Sequence, residues 1–391
     1  MRGAWALALA LHGCCVAPTP RLATSGPATI PLHESGGALL IDVWLEGRPQ
    51  PALLDTGALT TLAQPWAEQM GAAGCGAVTI EDAGGRTRAV PYARVPQLHL
   101  GSVEVRDVGV IVGWDAPPSR LACFSGLGLV GANALSAGRW HLDIEGGRLA
   151  VDGRVSFAEE GGVSLPMTVL ANGSPQMRLT LDGRPLDVMV DTGAAVDVEL
   201  PAALHRRLAA RATPTARGHG DGASGFLGPV MGEVAIFRHR IGVGAIQLER
   251  WPVTVREGGD RARVGVGFLR HFDIVLDWPG RRVELRPKAP IAAPPPLEGL
   301  GLGLRLASNG RLTVGFLWRH SPAEDAGLQV GDTITAIAGS GEEPMPFDDY
   351  CRLSTRLGEL EKMRIAVESP TGKREVTLRR GAFERMSVSV R

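Results

Sequence analysis

Short apolar runs separated by turn-forming residues recur along the chain and predict a mainly β protein. The run at residues 78–80 leads to the Asp-Ala-Gly-Gly stretch at residues 82–85 and returns through residues 88–90, which predicts a hairpin with a glycine-rich tip. Two other apolar runs end in an acid, at Asp55 and at Asp191, and each is typical of a buried strand. Glycine (52) and proline (28) are abundant, as expected for short strands joined by many turns.

A different pattern begins near the last third of the chain. Residues 287–296 are rich in proline and favour an extended, semi-rigid spacer. Farther on, apolar residues recur at helical spacing and predict one buried face of a helix. They are Tyr350, Leu353, Leu357 and Leu360. We therefore predict a proline-rich linker at residues 289–298 and a separate α+β domain at residues 299–391.

The part of the chain before that linker contains an internal duplication. Asp-Thr-Gly-Ala occurs at residues 55–58 and again at residues 191–194, so the two acids are 136 residues apart (191 − 55). A Gly-Arg-Pro triplet begins eight residues before each acid (55 − 47 and 191 − 183). Two copies in matching surroundings are much less expected by chance than one. Two homologous lobes are expected to pack about a pseudo-twofold axis that brings the acids face to face.

Composition excludes several classes of function. The 391 residues suffice for two or three domains, and 41 basic residues balance 41 acidic ones, so nothing suggests nucleic acid or an anionic membrane surface as a dedicated partner. No Cys/His spacing fits a zinc site, and we expect no metal and no cofactor. Two G-x-G-x-x-G-like stretches, at residues 126–131 and 218–223, do not lie in a βαβ unit, which argues against a nucleotide site.

The N-terminus has the pattern of an export signal. Arg2 precedes an apolar run at residues 4–11, and small residues follow it. The end of this segment, through Gly13 and Cys14, resembles the bacterial lipobox, whose cysteine is acylated, although His12 replaces the usual small residue. We predict a signal peptide at residues 1–15 with Cys14 as lipidation candidate, and a flexible linker at residues 16–35. The protein would be exported, either periplasmic or an outer-membrane lipoprotein of a bacterium.

The duplicated pattern resembles the bacterial retropepsin-like aspartic proteases, here joined into one two-lobed chain. Each half has the family's apolar run, Asp-Thr-Gly-Ala, a glycine-bearing hairpin, and an apolar-Gly motif that ends in Leu. The resemblance implies a pepsin-like bilobal unit of two β lobes, with lobe one at residues 36–155 and lobe two at residues 156–288.

The same resemblance implies a set of site residues. Asp55 and Asp191 would be the catalytic pair. The residues implied to support them, by hydroxyl cross-links and by close backbone approach, are Thr56, Gly57, Thr192 and Gly193. The two hairpins would be flaps that close over bound peptide, with ordinary surface hairpins as the alternative. The flap candidates are Gly84, Gly85, Gly222 and Ser224.

The C-terminal domain resembles a PDZ domain of the bacterial circular-permutant type. The resemblance is carried by Ser-Pro-Ala, Ala-Gly-Leu and Gly-Asp within residues 321–332. It implies that a peptide C-terminus would add as a strand beside Leu302, Gly303 and Leu304, facing the helix that contains Tyr350. The glycines there are equally compatible with turns, and the domain would then only pack on the protease.

The pair of acids suggests a mechanism. Two carboxyl groups forced together cannot both ionise cheaply, so they share a proton. The ionised one would take a proton from a water that attacks the peptide carbonyl, while the protonated one donates to the developing oxyanion. Near-symmetry leaves open which of Asp55 and Asp191 is the base. The sequence favours a monomeric aspartic endopeptidase acting on peptides or proteins, with a C-terminal peptide as a ligand of the PDZ-like domain.

Two alternatives stay open. One is a non-catalytic peptide-binding envelope protein on the same scaffold, which would not need a second acid. The other is a processing protease with a single envelope partner. Cysteine usage is also open, because Cys75 and Cys123 would either pair within lobe one or be independent apolar residues. Cys351 has no partner within its own domain.

Overall fold

The structure is a computed structural model that describes residues 19–24, 26–113, 121–151, 155–157, 161–338 and 345–384. The predicted signal peptide, with its lipidation candidate Cys14, lies outside the described residues. The described chain is mainly β, as predicted, and consists of two duplicated β lobes followed by a smaller α+β unit.

Lobe one is built from strands and two short helices, α1 and α2, with a 3-10 turn at Leu121–Cys123. Its elements in chain order are β1 (Arg21–Leu22), β2 (Ala28–Ser35), β3 (Ala38–Leu45), β4 (Arg48–Asp55), β5 (Thr61–Leu62), α1 (Gln64–Gln69), β6 (Ala73–Glu81), β7 (Thr87–Leu100), β8 (Val103–Val112), β9 (Gly128–Gly131), α2 (Ala132–Leu135), β10 (Arg139–Asp143) and β11 (Arg148–Val151).

Lobe two repeats this plan with longer hairpin strands. Its elements are β12 (Val163–Pro166), β13 (Thr168–Val169), β14 (Pro175–Leu181), β15 (Arg184–Val190), β16 (Val198–Pro201), α3 (Ala202–Ala209), β17 (Ala216–Gly225), β18 (Gly228–Val243), β19 (Ile246–Arg256), β20 (Ala262–Val264), α4 (Val266–Leu269), β21 (Phe272–Asp277) and β22 (Arg282–Pro287).

The C-terminal unit has its own apolar core beneath a small sheet. Its elements are β23 (Glu298–Gly299), β24 (Leu302–Leu306), β25 (Leu312–Trp318), α5 (Pro322–Asp325), β26 (Thr333–Ile337), α6 (Phe347–Arg356), a 3-10 turn at Leu357–Glu359, β27 (Lys362–Ser369), β28 (Gly372–Arg379) and β29 (Gly381–Ala382). None of the helices formed by the described residues is long and apolar enough to cross a membrane.

The repeated Gly-Arg-Pro triplets form equivalent hairpin turns. Glu46 and Gly47 both have positive φ (50° and 76°), as do Asp182 and Gly183 (49° and 81°). Positive φ at both central residues is the two-residue turn that matches the natural twist of paired strands. Each turn therefore starts a straight apolar strand, β4 or β15, that ends at an Asp-Thr-Gly triplet.

The two lobes share one connecting sheet. Its strands run in the order β12, β22, β21, β10, β11, β2, and the antiparallel pairing of β10 with β21 joins the lobes. Trp140 of β10 and Leu276 of β21 are register partners in this joint, and both are buried. The lobes consequently fold around one continuous apolar core.

The described part of the predicted flexible linker is structured, which corrects that prediction. Strand β2 pairs with both β3 and β11, and Ile30 and Leu32 are buried in the core. Their spacing of two residues places both side chains on the same face of the strand. The proline and serine content of this segment hid the alternating pattern.

Cys123 does not pair with Cys75, which rules out the first of the two alternatives for these cysteines. Cys123 forms a disulfide with Cys351, 228 residues farther along the chain, so the bond joins lobe one to helix α6 of the C-terminal unit. No sequence pattern within one domain indicates a bond between two domains. An ion pair adds to this attachment, because buried Glu384 pairs with Arg238 of lobe two at 2.7 Å.

Candidate active site

The two Asp-Thr-Gly triplets meet at the junction of the lobes. Asp55 ends β4, and Asp191 directly follows β15. Each of these strands is held by a parallel neighbour, β9 for β4 and β20 for β15. Because both partners are apolar central strands, each carboxyl group is fixed where a strand ends rather than carried on a mobile loop.

Each carboxylate is held by the backbone of its own triplet. The Gly57 N–H donates to Asp55 Oδ1 at 2.8 Å, and the Gly193 N–H donates to Asp191 Oδ1 at 3.0 Å. One oxygen of each aspartate is thus fixed, and the two arrangements are nearly the same. This symmetry follows directly from the duplicated sequence.

The two threonines cross-link the loops. The Thr56 hydroxyl donates to the Val190 carbonyl at 2.6 Å and accepts from the Thr192 N–H at 3.1 Å. The Thr192 hydroxyl donates to the Leu54 carbonyl at 2.8 Å and accepts from the Thr56 N–H at 3.0 Å. Both threonines are fully buried, so each bond replaces water that cannot enter. The structure places Thr56 and Thr192 where the sequence predicted.

The glycines allow the opposite aspartate to approach. A Cβ added to Gly57 would lie 2.6 Å from Asp191 Cγ, and one added to Gly193 would lie still closer to Asp55 Cγ. Real Cβ atoms are not found at such distances from other heavy atoms. The third residue of each triplet is therefore restricted to glycine by packing of the other lobe's acid.

The two carboxyl groups interact directly. They are close enough to share a hydrogen bond, and the pKa of Asp55 is raised to about 8. Burial is the largest cause, and the negative charge of Asp191 acts in the same direction, while the Gly57 N–H opposes it. At neutral pH the Asp55 carboxyl group is therefore protonated and can donate a hydrogen bond.

An arginine on β20 contacts one member of the pair. Arg263 NH1 donates to Asp191 Oδ2 at 3.0 Å, and its Nε lies 3.1 Å from Glu199. Glu199 is buried and also pairs with the buried Arg256 at 2.9 Å. Burial alone would lower the pKa of Arg263, but the charges of Asp191 and Glu199 hold it above its ordinary value.

Sequence reasoning missed Arg263. The signal was present in the comparison of the two apolar-Gly motifs, where residues 128–131 read Gly-Leu-Val-Gly and residues 262–265 read Ala-Arg-Val-Gly. An arginine within a buried strand motif is unusual, because a buried cation needs an anionic partner. That partner was already among the predicted catalytic residues.

The two hairpins contact each other through hydrogen bonds. The buried Asp82 carboxylate accepts from the Gly84 N–H at 2.9 Å and from the Leu227 N–H across the gap at 3.3 Å. Arg86 pairs with Asp82 and donates to the Gly228 carbonyl at 2.9 Å. Burial would raise the pKa of Asp82, but the hydrogen bonds from Arg86 and Gly84 lower it overall. A charge-assisted bridge therefore joins the hairpin tips.

The flap candidates lie at different places on these hairpins. Gly84 and Gly85 form the tip of the first hairpin, where they face Val230 and Gly259 of lobe two. Gly222 and Ser224 lie on β17, shortly before the turn that joins β17 to β18. The tip of the second hairpin is instead formed by the two residues after Gly225, Phe226 and Leu227.

The predicted PDZ residues lie on β24. Leu302, Gly303 and Leu304 pair with β25, and the Tyr350 hydroxyl of α6 donates to the Leu304 carbonyl at 3.3 Å. Helix α6 thus closes directly onto this strand. Within the described ranges, no group of three or more His, Cys, Asp or Glu side chains is arranged to hold a metal ion.

Comparisons with known proteins agree with part of this site. Residues 41–131, which include Asp55 and end at Gly131, match the family model for aspartyl proteases. A search of curated protein sequences found no match.

Solved structures with similar folds include two proteins of low sequence identity. A retropepsin-like aspartic protease from Rickettsia conorii is 18% identical, with 32% of this chain and 89% of that chain covered and a TM-score of 0.25. Basic 7S globulin from soybean is 11% identical, with 66% and 94% covered and a TM-score of 0.38.

Proposed function

We propose that the protein is an aspartic endopeptidase that hydrolyses peptide bonds with a water activated by Asp55 and Asp191. The observation that carries this proposal is the hydrogen-bonded carboxyl pair at the meeting point of two cross-linked Asp-Thr-Gly loops. The aspartyl protease match over residues 41–131 supports it for the first of these loops.

The chemistry follows from one shared proton. A water bound between the two carboxyl groups gives a proton to the ionised aspartate and attacks the peptide carbonyl carbon. The protonated aspartate donates its hydrogen bond to the carbonyl oxygen, where negative charge develops. Collapse of the tetrahedral intermediate then needs a proton on the leaving nitrogen, which the newly protonated aspartate supplies. The pair returns to a single proton at the end of the cycle.

The surroundings are suited to this reaction. The bridge from Asp82 and Arg86 holds the tips of the two hairpins together. An extended peptide would have to part the hairpin tips to enter. Closure after entry would bring backbone groups of both hairpins against the substrate.

The C-terminal unit is proposed to be a PDZ-like module that recruits a peptide C-terminus. Strand β24 and helix α6 lie against each other as the walls of such a groove would. Because the Tyr350 hydroxyl already occupies the Leu304 carbonyl, an added peptide strand would have to displace it. The Cys123–Cys351 disulfide supports export of the protein, since disulfides persist in oxidising compartments.

The test of the protease proposal uses a random peptide library and three variants of the full chain. Asp55→Asn and Asp191→Asn are each expected to lose about 10²-fold or more of the cleavage rate between pH 3 and 8. Asp187→Asn is the matched control, because Asp187 lies on β15, the strand that leads to Asp191, but is exposed and pairs with Arg178. Its rate should equal that of the unaltered protein.

A second candidate is a non-catalytic peptide-binding protein on the same scaffold. It is favoured by the ion pair between Arg263 and Asp191, which engages the Asp191 oxygen that the Gly193 N–H does not hold. In the same experiment, peptide binding without cleavage at any pH would select this candidate. Equal cleavage by all variants would instead assign the activity to a contaminant.

A further inference from the structure

The two aspartates have equivalent backbones but different neighbours. Leu53 of β4 pairs with Leu129 of β9, and the equivalent pair in lobe two is Met189 of β15 with Arg263 of β20. Lobe one thus presents an apolar side chain where lobe two presents a cation. Among the described residues, a guanidinium contacts Asp191 and none contacts Asp55.

The arginine is held in place by further charges. Glu199 of β16 is the register partner of Arg263, and the equivalent residue in lobe one is Thr61 of β5, the partner of Leu129. Glu199 also binds Arg256 at the end of β19, whose NH2 donates to the Ala83 carbonyl of the first hairpin at 2.7 Å. Asp191, Arg263, Glu199 and Arg256 form a buried row of alternating charge, which we call the charge row.

The charged groups that face Asp191 can be named for each element packed against it. Asp55 faces it from the end of β4, and Arg263 faces it from β20. Glu199 on β16 and Arg256 on β19 act on it only through Arg263. Among the described residues these are the charges that set the balance between the two aspartates.

We propose that Arg263 is a positioning residue that keeps Asp191 ionised and places the shared proton on Asp55. This inference rests on the proposed protease function and assigns the base in it. Asp191 is then the group that accepts the proton of the attacking water, and Asp55 is the group that donates to the carbonyl oxygen. The near-symmetry of the duplicated sequence is broken by one side chain.

The physical reason is the sign of the nearest charge. A cation in contact with a carboxylate favours its ionised form, whereas a neighbouring carboxylate disfavours ionisation of the other. Asp191 has both neighbours, but Asp55 has the like charge closest and the cation farther away. Burial is the largest cause of the raised pKa of Asp55, about 8, and the charge of Asp191 acts in the same direction. The singly protonated pair should therefore persist from acid to neutral pH.

Arg263→Leu tests this, because it installs the residue that lobe one has at the equivalent position. The substitution leaves Glu199 paired with Arg256, so Asp191 is the anion of the charge row that loses its cation. Without the cation, Asp191 should ionise at higher pH. We expect the acidic limb of the kcat/KM profile to move up by about 1 to 3 pH units.

Two further variants separate charge from shape. Arg263→Lys keeps the positive charge and should restore most of the acidic limb. Arg261→Leu removes a charge two residues away whose side chain is exposed and pairs with Asp260, so its profile should follow that of the unaltered protein. A profile of Arg263→Leu that is lowered by one constant factor at every pH would overturn the proposal in favour of a structural role. A rate that rises at every pH without a shift would also overturn the proposal, because Arg263 would then restrict the site rather than set the position of the proton.

A second readout does not depend on cleavage. Carbon-13 NMR titration of labelled aspartate carboxyls, assigned with Asp55→Asn and Asp191→Asn, reports which group ionises first. The proposal requires Asp191 to ionise first in the unaltered protein, and its titration to move up in Arg263→Leu. If Asp55 ionises first, the proposal is wrong. If Asp191 titrates as expected but no peptide is cleaved, the protease proposal fails while the assignment of the proton stands.

Discussion

Lobe one and lobe two of this protein hold the same triplet in the same way, yet they differ in the strand behind it. The Asp-Thr-Gly loops match in hydrogen bonds from glycine N–H and threonine hydroxyl groups. Behind them, Leu129 in lobe one corresponds to Arg263 in lobe two. The comparison teaches that duplication preserved the parts that touch across the lobe junction, where each copy constrains the other. The strand behind the loop pairs with strands of its own lobe, and it is there that the two copies differ.

The two hairpins also share a common plan but differ in their contacts. The first hairpin, formed by β6 and β7, contacts the second one through its tip and through Val78 and Val90, against whose cluster Phe226 packs. The second hairpin is also paired along β17, where Gly218, His219 and Gly220 oppose Trp318, Leu317 and Phe316 of β25. An ion pair between Asp221 and Arg305 extends this contact. The outer strand of the first hairpin, β6, therefore lies at the edge of its sheet, whereas β17 is part of a sheet that continues into the C-terminal unit.

The largest expected effect tests the symmetric part of the comparison. Gly57→Ala and Gly193→Ala should each reduce the cleavage rate about 10²-fold or more, because the added Cβ would push the opposite carboxyl group out of position. The effects should be similar in the two lobes. Gly126→Ala is the control, since a Cβ there would have nothing within 4 Å. Steady-state kinetics on one peptide substrate compares the three, and a large effect in one lobe only would contradict the equivalence of the loops.

A smaller effect tests the difference between the hairpins. Gly220→Val would place a side chain against the Gly315 carbonyl oxygen of β25 at a position with φ of +118°. Such overpacking costs about 1–3 kcal/mol, so amides of β17 should exchange with deuterium about tenfold faster or more. Gly232 is the register partner of Gly220 on β18 and has nothing within 4 Å of its Cβ position.

The control for this experiment is therefore Gly232→Val, which should leave the exchange of β17 unchanged. Hydrogen exchange read by mass spectrometry follows β17 and β6 in each variant. If the amides of β6 exchange faster by as much as those of β17, the two hairpins behave as one unit. The distinction between an edge strand and a strand paired with the C-terminal unit then does not hold.

The smallest expected effect concerns the free energy of unfolding at acid pH, which lobe two should lower more than lobe one. Buried His205 contacts His239 at 3.0 Å, and His239 contacts Asp182 at 2.7 Å. Burial, followed by the charge of His239, lowers the pKa of His205 from 6.5 to about 4. Between these two pH values the unfolded chain binds the extra proton, so the free energy of unfolding falls as the pH falls, by at most about 1.4 kcal/mol per pH unit for this group.

His205→Gln keeps a hydrogen-bonding side chain that does not titrate, and it should flatten this dependence. His33→Gln is the control, because His33 lies in lobe one with an exposed side chain. Urea unfolding at several pH values between 4 and 7.5 measures the slope for each protein. A slope that is the same for His205→Gln and the unaltered protein would show that other groups carry the acid sensitivity.

The fold class and the two aspartates were predictable from the sequence because both depend on local repetition. The motif at residues 55–58 recurs with its surroundings, and apolar runs before Asp55 and Asp191 indicate buried strands. The role of Arg263 was not predicted, since it depends on the register between β15 and β20. Sequence order alone does not give the register between strands so far apart.

The attachment of the C-terminal unit was also beyond the sequence. Cys123 and Cys351 lie in different domains, and their pairing depends on how the domains dock. Strand β2 was hidden for a different reason, because its alternation is short and begins within a proline-containing segment that suggested a linker. In both cases the deciding contacts are tertiary and override local composition.

The bond between Cys123 and Cys351 has one more consequence, for survival of the molecule during its own activity. The 228-residue span that it closes contains all of lobe two, including Asp191. A single backbone break anywhere in that span, whether made by this protein or by another protease, releases no fragment. The two pieces stay joined covalently through this disulfide until it is reduced.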